Sequence, residues 1–518
     1  MSTQLIGFSI GGIGRRFLVD PPSMKFSDVQ RTIRLPTGIP LPGLEAFYSV
    51  FSWACWIAPQ NIVVNQMFGY FHGMGMSLIT FDWAQIAYIG SPLATPWWAE
   101  ANIVLGFILF YWIGTPVIYY TNTWYTQYLP ISTRGSYDNT GKSYNVTRII
   151  DSRNNLDVEA YKAYSPIFLS ATFATSYGLS FAAITATLTH AFLFYGKQIW
   201  TQARRSLHEQ PDIHARLMSR YEQVPEWYYA VIFVSMFIFS IISIEALETD
   251  LPVWGFILAL SISFMYVIPC GMIQAVTNQQ VGLNVIAELV VGYALPGRPV
   301  AMMLFKTWGY ITMAQALTFS SDFKLGHYMK IPPKSMFFAQ VVCAVISGTV
   351  QLAVQSWMFS NIEDICDPLQ KSGFVCPNTE VFGTASIIWG VIGPARQFSK
   401  GQIYYVLLSG TGAIPPANAV NYITWGIVGF IFQFLVRRRH FSWWTKYNYV
   451  LSAALDAGVA IGAILVFFCL QYPLNGSIGN NTIQKWWGNT VFYGTADYLG
   501  TPLKALKDDG SRFGPSSW

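Results

Sequence analysis

VWGFILALSISFMYVIPCGMIQAVTNQQVGLNVIAELVVGYALPGRPV, residues 253–300, decides the fold class. Its first part, 253–273, is a continuous apolar run of the length a helix needs to cross a bilayer, about 20 residues. Pro269 and Gly271 interrupt it near its end, and the polar cluster Asn278, Gln279, Gln280 stops it. A second apolar run, 281–295, carries Asn284 and Glu288 before LPGRP ends it. A run, a polar break at membrane depth and a shorter run back describe a discontinuous membrane helix better than a soluble core.

The pattern repeats on both sides. Runs of spanning length occur at 44–58, 99–120, 167–195, 227–246, 300–319, 336–358, 420–436 and 449–470. A shorter one lies at 403–414, and 69–95 is punctuated by Gly and Pro. No long hydrophilic stretch intervenes. The expectation is an all-α, polytopic membrane protein of roughly 10–12 spanning or re-entrant segments, forming a single transmembrane domain over residues 1–518. The ten-residue alternation of an outer-membrane barrel is absent.

Composition agrees. Charged residues are 11% of the 518, against about 25% in soluble domains, and 53% are apolar. That apolar content excludes a disordered chain, and six cysteines exclude a disulfide scaffold. The net charge of +5 is too scattered to suggest nucleic acid. No cleavable signal peptide is recognisable in residues 1–35. GxxxxGK[ST], HExxH and CxxC do not occur, so neither ATP hydrolysis, a metal site nor a cofactor is expected.

Orientation follows from charge. Lys197, Arg204, Arg205, Arg216 and Arg220 follow one span, Lys324, Lys330 and Lys334 another, and Arg437, Arg438, Arg439 and Lys446 a third. These loops are expected to be cytoplasmic. Counting crossings from them puts the glycosylation acceptors Asn145, Asn475 and Asn480 all outside. Cys366 and Cys376 flank a short external loop and are a candidate disulfide, the alternative being two free thiols.

Polar groups in lipid are costly and mark function. Glu288 and Asp456 are the candidate proton-coupling acids, because a carboxyl removed from water holds its proton to higher pH and can release it when water returns. Asn278, Gln279, Gln280, Asn284, Lys306 and His190 are candidates for the substrate path. The bland alternatives are a hydroxyl or backbone partner for Asp456, interfacial packing for His190 and snorkelling for Lys306. Asp82 and Glu100 are read as facing the membrane surface or, alternatively, as lining the path. Broken helices free N–H and C=O groups that suit a peptide's two charged ends.

Residues 268–340 carry the most specific resemblance. They include Lys330-Ile331-Pro332-Pro333-Lys334, similar to the KIPPR-type motif of the oligopeptide transporter family of fungi and plants, with Lys for the final Arg. SPLATPWWAEANI, SYNVTRII, DICDPLQKSGFVCP, NYVLSAALDAG and WWGNTV resemble the same family. The resemblance implies a proton symporter of small peptides (tetra- and pentapeptides, with glutathione a further candidate) at the plasma membrane, partnered by peptide, protons and lipid. Two departures are visible. Met1 falls where the family is already mid-chain, and GQIYYVLLSGTGAIPPANAVNYITW looks shortened. The competing readings are a carrier of metal chelates or siderophores, and a truncated member that does not transport.

Overall fold

A computed structural model describes residues 53–518 apart from 77–78, 152–154, 198–199, 202–212, 248, 364, 366–376, 400–401, 405–416, 477–486, 507–510 and 516–517. The described chain is helical. Its only strands, β1 (Ser136–Tyr137) and β2 (Phe168–Leu169), form one antiparallel pair with Ser136 opposite Leu169.

Among the described residues, seven helices are long and apolar enough to cross a membrane. They are α1 (Trp97–Tyr120), α2 (Ala171–Tyr195), α3 (Glu226–Ala246), α4 (Val253–Thr277), α7 (Pro333–Asn361), α9 (Ala419–Arg439) and α10 (Phe441–Cys469). Two shorter apolar helices, α5 (Asn284–Ala294) and α8 (Val381–Ile392), join them. A continuous helical run over 299–329, α6, covers the expected span 300–319 and carries Lys306 inside it. Helix α8 was not expected. Most of the runs 403–414 and 44–58 lies outside the described residues. The ambiguous 69–95 stretch is broken backbone with short helical turns at Trp83–Ile86 and Ala87–Ile89.

Local chemistry explains where the helices start and stop. Ser170 caps α2 by accepting from the Phe173 N–H. Asn278 ends α4 in the left-handed conformation (φ 55°), its N–H donating to the Gln274 carbonyl. Lys330 ends α6 in the same way (φ 61°), and Pro333 at the first position of α7 starts the next helix. Ile331 and Pro332 bridge them, so the KIPPK element is a tight helix–helix corner. Hydroxyls inside the spans find partners on their own helix: Thr175, Thr185 and Thr187 donate to the carbonyl four residues back.

The main core joins α2, α4, α5, α6 and α8 around Trp308, Trp389, Phe256 and Phe305. A second core packs α1 against α9 through Phe107, Tyr111 and Tyr422. Glycines allow that contact: a Cβ on Gly426 would lie 2.5 Å from Val104. Helices α7 and α10 are peripheral, with 6% of each apolar window buried, and present their sides to lipid. π-helical turns interrupt α1, α6, α8 and α9 at Ile108–Gly114, Thr307–Ile311, Ser386–Ile392 and Phe430–Val436.

The two ends of the bundle are chemically distinct. At one end the basic loops meet: Lys330 Nζ donates to His214 Nδ1 (2.5 Å), and Lys334 pairs with Glu222. The hydrogen bond and charge of Lys334 hold the Glu222 carboxyl below the usual carboxylate range. This small, exposed contribution is present at neutral pH and lost as pH falls through that lowered value. At the other end of α2, about 37 Å away by helical rise, the Asn145 loop lies with the C-terminal tail. Leu503 N–H donates to Tyr119 Oη (3.1 Å) and Phe513 N–H to the Asn139 carbonyl (2.9 Å). The Phe513 ring stacks on Tyr128 at 4.8 Å. By the positive-inside rule, the first end is the inner one.

Asp497 fastens the tail. It is 3% exposed, and its carboxylate accepts backbone N–H bonds from Phe71 (2.9 Å), His72 (2.8 Å) and Gly73 (2.8 Å). The 69–75 loop wraps this carboxylate. A Cβ on Gly69 would fall 2.2 Å from Asp497 Oδ1.

Candidate functional site

Helix α5 carries Glu288 and α6 carries Lys306. They meet in the main core, Nζ to Oε1 at 2.5 Å, with Glu288 1% and Lys306 5% exposed. Lys306 also stands over the Phe382 ring at 4.2 Å. Glu288 Oε2 has no hydrogen-bond partner, nor does the Tyr177 hydroxyl. Tyr177 packs edge-to-face on Trp389 at 5.4 Å. The Thr307–Ile311 π-helical turn begins directly after Lys306. Lys306 therefore turns inward to a counter-charge.

Depth follows from helix lengths. The outer end of α5 abuts the outer loops, where Leu156 N–H donates to the Gly297 carbonyl (3.1 Å). Glu288 and Lys306 each lie about 10 Å inward from there. Asn284, at the start of α5, lies about 15 Å inward. Its Oδ1 is buried without a partner. The α5 side of the break is thus at membrane depth, where Leu283 is buried, while Asn278 and Gln280 are exposed.

A second broken segment meets the first. Residues 90–96 turn between short helical turns and α1. Thr95 Oγ1 lies 3.5 Å from both Asn278 Nδ2 and Gln279 Nε2. Gln280 Nε2 donates to the Ala314 carbonyl of α6 (3.3 Å). The Leu93 carbonyl, fully buried, accepts from Asn448 Nδ2 (2.6 Å) and from Gln433. Asn421 Nδ2 donates to the Gln85 carbonyl (2.9 Å), and Ser91 and Ser452 share a hydroxyl hydrogen bond (2.6 Å). Two polar, irregular segments are therefore held together inside an apolar bundle.

The structure brings Glu288, Lys306 and Asn284 into one neighbourhood, with Asn278 and Gln279 adjoining Thr95. It separates Asp456 from them. Asp456 is exposed on α10 and accepts from Trp83 Nε1 (2.8 Å). Asp456, a candidate coupling acid, thus lies apart from Glu288, on the face of α10 that Asn448 and Ser452 turn to residues 91–93. His190 is exposed near the inner end of α2, its ring 4.9 Å from Phe194. Lys330, Ile331, Pro332, Pro333 and Lys334 form the inner corner, away from the pair. Asn145 is exposed, its Oδ1 accepting from Thr147 Oγ1 (2.6 Å). Cys366, Cys376 and Asn480 lie outside the described residues, as does the side chain of Asn475. Asp82 is a helix cap, accepting from the Ala84 N–H (3.0 Å). Glu100, by contrast, is fully buried.

The family model described as OPT oligopeptide transporter protein matches residues 37–470. The chain belongs to the oligopeptide transporter family. It is 41% identical to glutathione transporter 1 of Schizosaccharomyces pombe over 91% of this chain and 58% of that protein. It is 40% identical to the sexual differentiation process protein isp4 of the same yeast, over 100% of this chain and 74% of the relative. It is 39% identical to oligopeptide transporter 7 of Arabidopsis thaliana, over 95% and 72%. The chain thus spans a little over half of the first relative's length and about three-quarters of the other two. The alignment with isp4 runs to 588 positions against 518 residues here, so that relative carries residues without a counterpart in this chain. The helical fold and the multi-pass membrane character agree with membership of this family. The sequence resemblance is borne out.

Proposed function

We propose that this chain carries small peptides, glutathione included, across the plasma membrane by alternating access, with proton binding at Glu288 coupled to cargo binding. The observation that carries the reading is the buried Glu288–Lys306 pair beside a broken helix at membrane depth. An ammonium in apolar surroundings needs an anion. While Glu288 is ionised, it supplies one. Once Glu288 takes a proton, Lys306 requires another, and the C-terminal carboxylate of a peptide is of the right chemistry. The exposed amides of the 278–284 break can take the peptide's backbone and ammonium end. Proton and cargo thereby favour the same state, which is the condition for symport. The names of the yeast and plant relatives support a peptide cargo.

The test is uptake of labelled glutathione and of a labelled tetrapeptide into vesicles containing the 518-residue chain, with internal acidification followed by a dye. Glu288→Gln mimics the protonated acid permanently. The expected result is uphill accumulation and acidification in the parent, and pH-independent exchange without acidification in the variant. Acidification by the variant at the parental rate would remove Glu288 as the coupling group.

A further inference from the structure

Glu100 is a fully buried carboxyl that the scheme above does not use and, unlike that of Asp497, one without hydrogen-bond partners. It lies in the first turn of α1, and neither oxygen has a hydrogen-bond partner. Its carboxyl rests on the backbone of α9 where there is no side chain: a Cβ on Gly429 would lie 1.8 Å from Oε2. The titratable groups on the packed elements are turned elsewhere. Tyr422 of α9 stacks on Phe107 at 4.9 Å, about two turns outward from Glu100. Arg437 covers the Trp444 ring at 4.8 Å and Arg438 the Phe434 ring at 4.0 Å. No ion pair reaches Glu100 among the described residues.

An ionised carboxylate in such a place would lack water, counter-charge and donors together, a cost that a bound proton removes. Thr95 and the polar seam around Leu93 lie just before Glu100 in the chain, so the group adjoins the break rather than the lipid. Its depth also differs from that of the outer pair. Glu100 is one turn from the inner end of α1 and about 30 Å from the outer end. Glu288 is about 10 Å from the outer side, so the two acids differ in depth by roughly 20 Å.

We propose that Glu100 is a second proton-carrying carboxyl, serving the inner side of the translocation path. It holds its proton while the α1–α9 seam is closed. When the seam opens to the cytoplasm, the O–H bond breaks, the proton passes to water and the carboxylate is hydrated. The inference rests on the proton-coupled reading above but concerns a different residue, helix pair and side of the membrane.

Two measurements on the reconstituted 518-residue chain test it. The infrared difference between parent and Glu100→Gln at neutral pH should show loss of a protonated-carboxyl C=O band. A lost carboxylate band instead overturns the proposal, whether or not the vesicles transport. In uptake assays, Glu100→Gln should retain exchange of internal for external peptide and lose pH-driven accumulation. Parental accumulation, or loss of exchange and accumulation together at normal abundance, overturns the coupling role. Should Glu100→Gln fail to accumulate in the membrane, Glu100→Met, of similar volume and without an acid, is subjected to the same infrared and exchange criteria. Glu288→Gln is run in parallel. Normal proton-driven uptake in that variant would sink the outer-site reading while leaving the Glu100 result to be judged separately.

Discussion

Lys306→Ala should destabilise the protein by about 3–5 kcal/mol, because it leaves Glu288 buried opposite a void. The pair is enclosed by Trp389, Tyr177 and Phe382, and Glu288 Oε2 already lacks a partner. Removing the ammonium takes away the group facing the other oxygen. The expected rescue is Lys306→Met combined with Glu288→Gln, which keeps volume and removes both charges. That double variant should recover most of the stability and none of the proton coupling. Thermal unfolding in detergent, followed by tryptophan fluorescence, measures the first effect. A Lys306→Ala protein within about 1 kcal/mol of the parent would mean that Glu288 has found water or a proton, and that the pair contributes little to stability.

Asp497→Ala should have the second large effect, at the outer end. Three backbone N–H groups, of Phe71, His72 and Gly73, converge on this carboxylate. Hydrogen bonds to a charged acceptor contribute about 1.5–3 kcal/mol each, and stranded donors carry the full desolvation cost. Because the three share one acceptor they do not add, so a loss of about 3–4 kcal/mol is expected. Asp497→Asn keeps one acceptor oxygen and should lose less. The readout is limited proteolysis: the segment after Thr495, held elsewhere by the Leu503, Lys504 and Phe513 hydrogen bonds and by Phe513 on Tyr128, should become more readily cleavable in the Ala variant. Equal protection in parent and variant would show that the remaining contacts hold the tail without Asp497.

Much of the architecture is legible in the apolar runs, because a lipid-spanning helix must satisfy its backbone internally and needs a minimum length. That suffices for α1–α4, α7, α9 and α10. The 278–280 break is legible too, since a polar cluster after Pro269 and Gly271 cannot continue a lipid-facing helix. Helix α8 escaped because its apolar stretch is short and lies among Thr, Asn and Gly. The partners of buried charges escaped for a different reason. Glu288 and Lys306 sit on separate helices joined by LPGRP, and nothing local in either helix specifies that they face each other. Asp456 shows the converse: an acid in an apolar run looks the same whether its helix is central or peripheral. Glu100 depends on a glycine of α9 far away in the chain, a signal that only packing reveals.

Helix α7 has 29 residues and rises directly from the KIPPK corner. At 1.5 Å per residue it is about 43 Å long, while a hydrocarbon slab is about 30 Å thick. Its apolar part, 336–358, is about 35 Å long, so it spans with some tilt, which its corner and neighbours set and bilayer thickness adjusts. Thicker, sterol-rich lipid should stand it upright and thinner lipid should lay it flatter, turning the corner at its foot. Transport in vesicles of graded chain length should therefore pass through an optimum, making the host membrane itself a setting on this carrier.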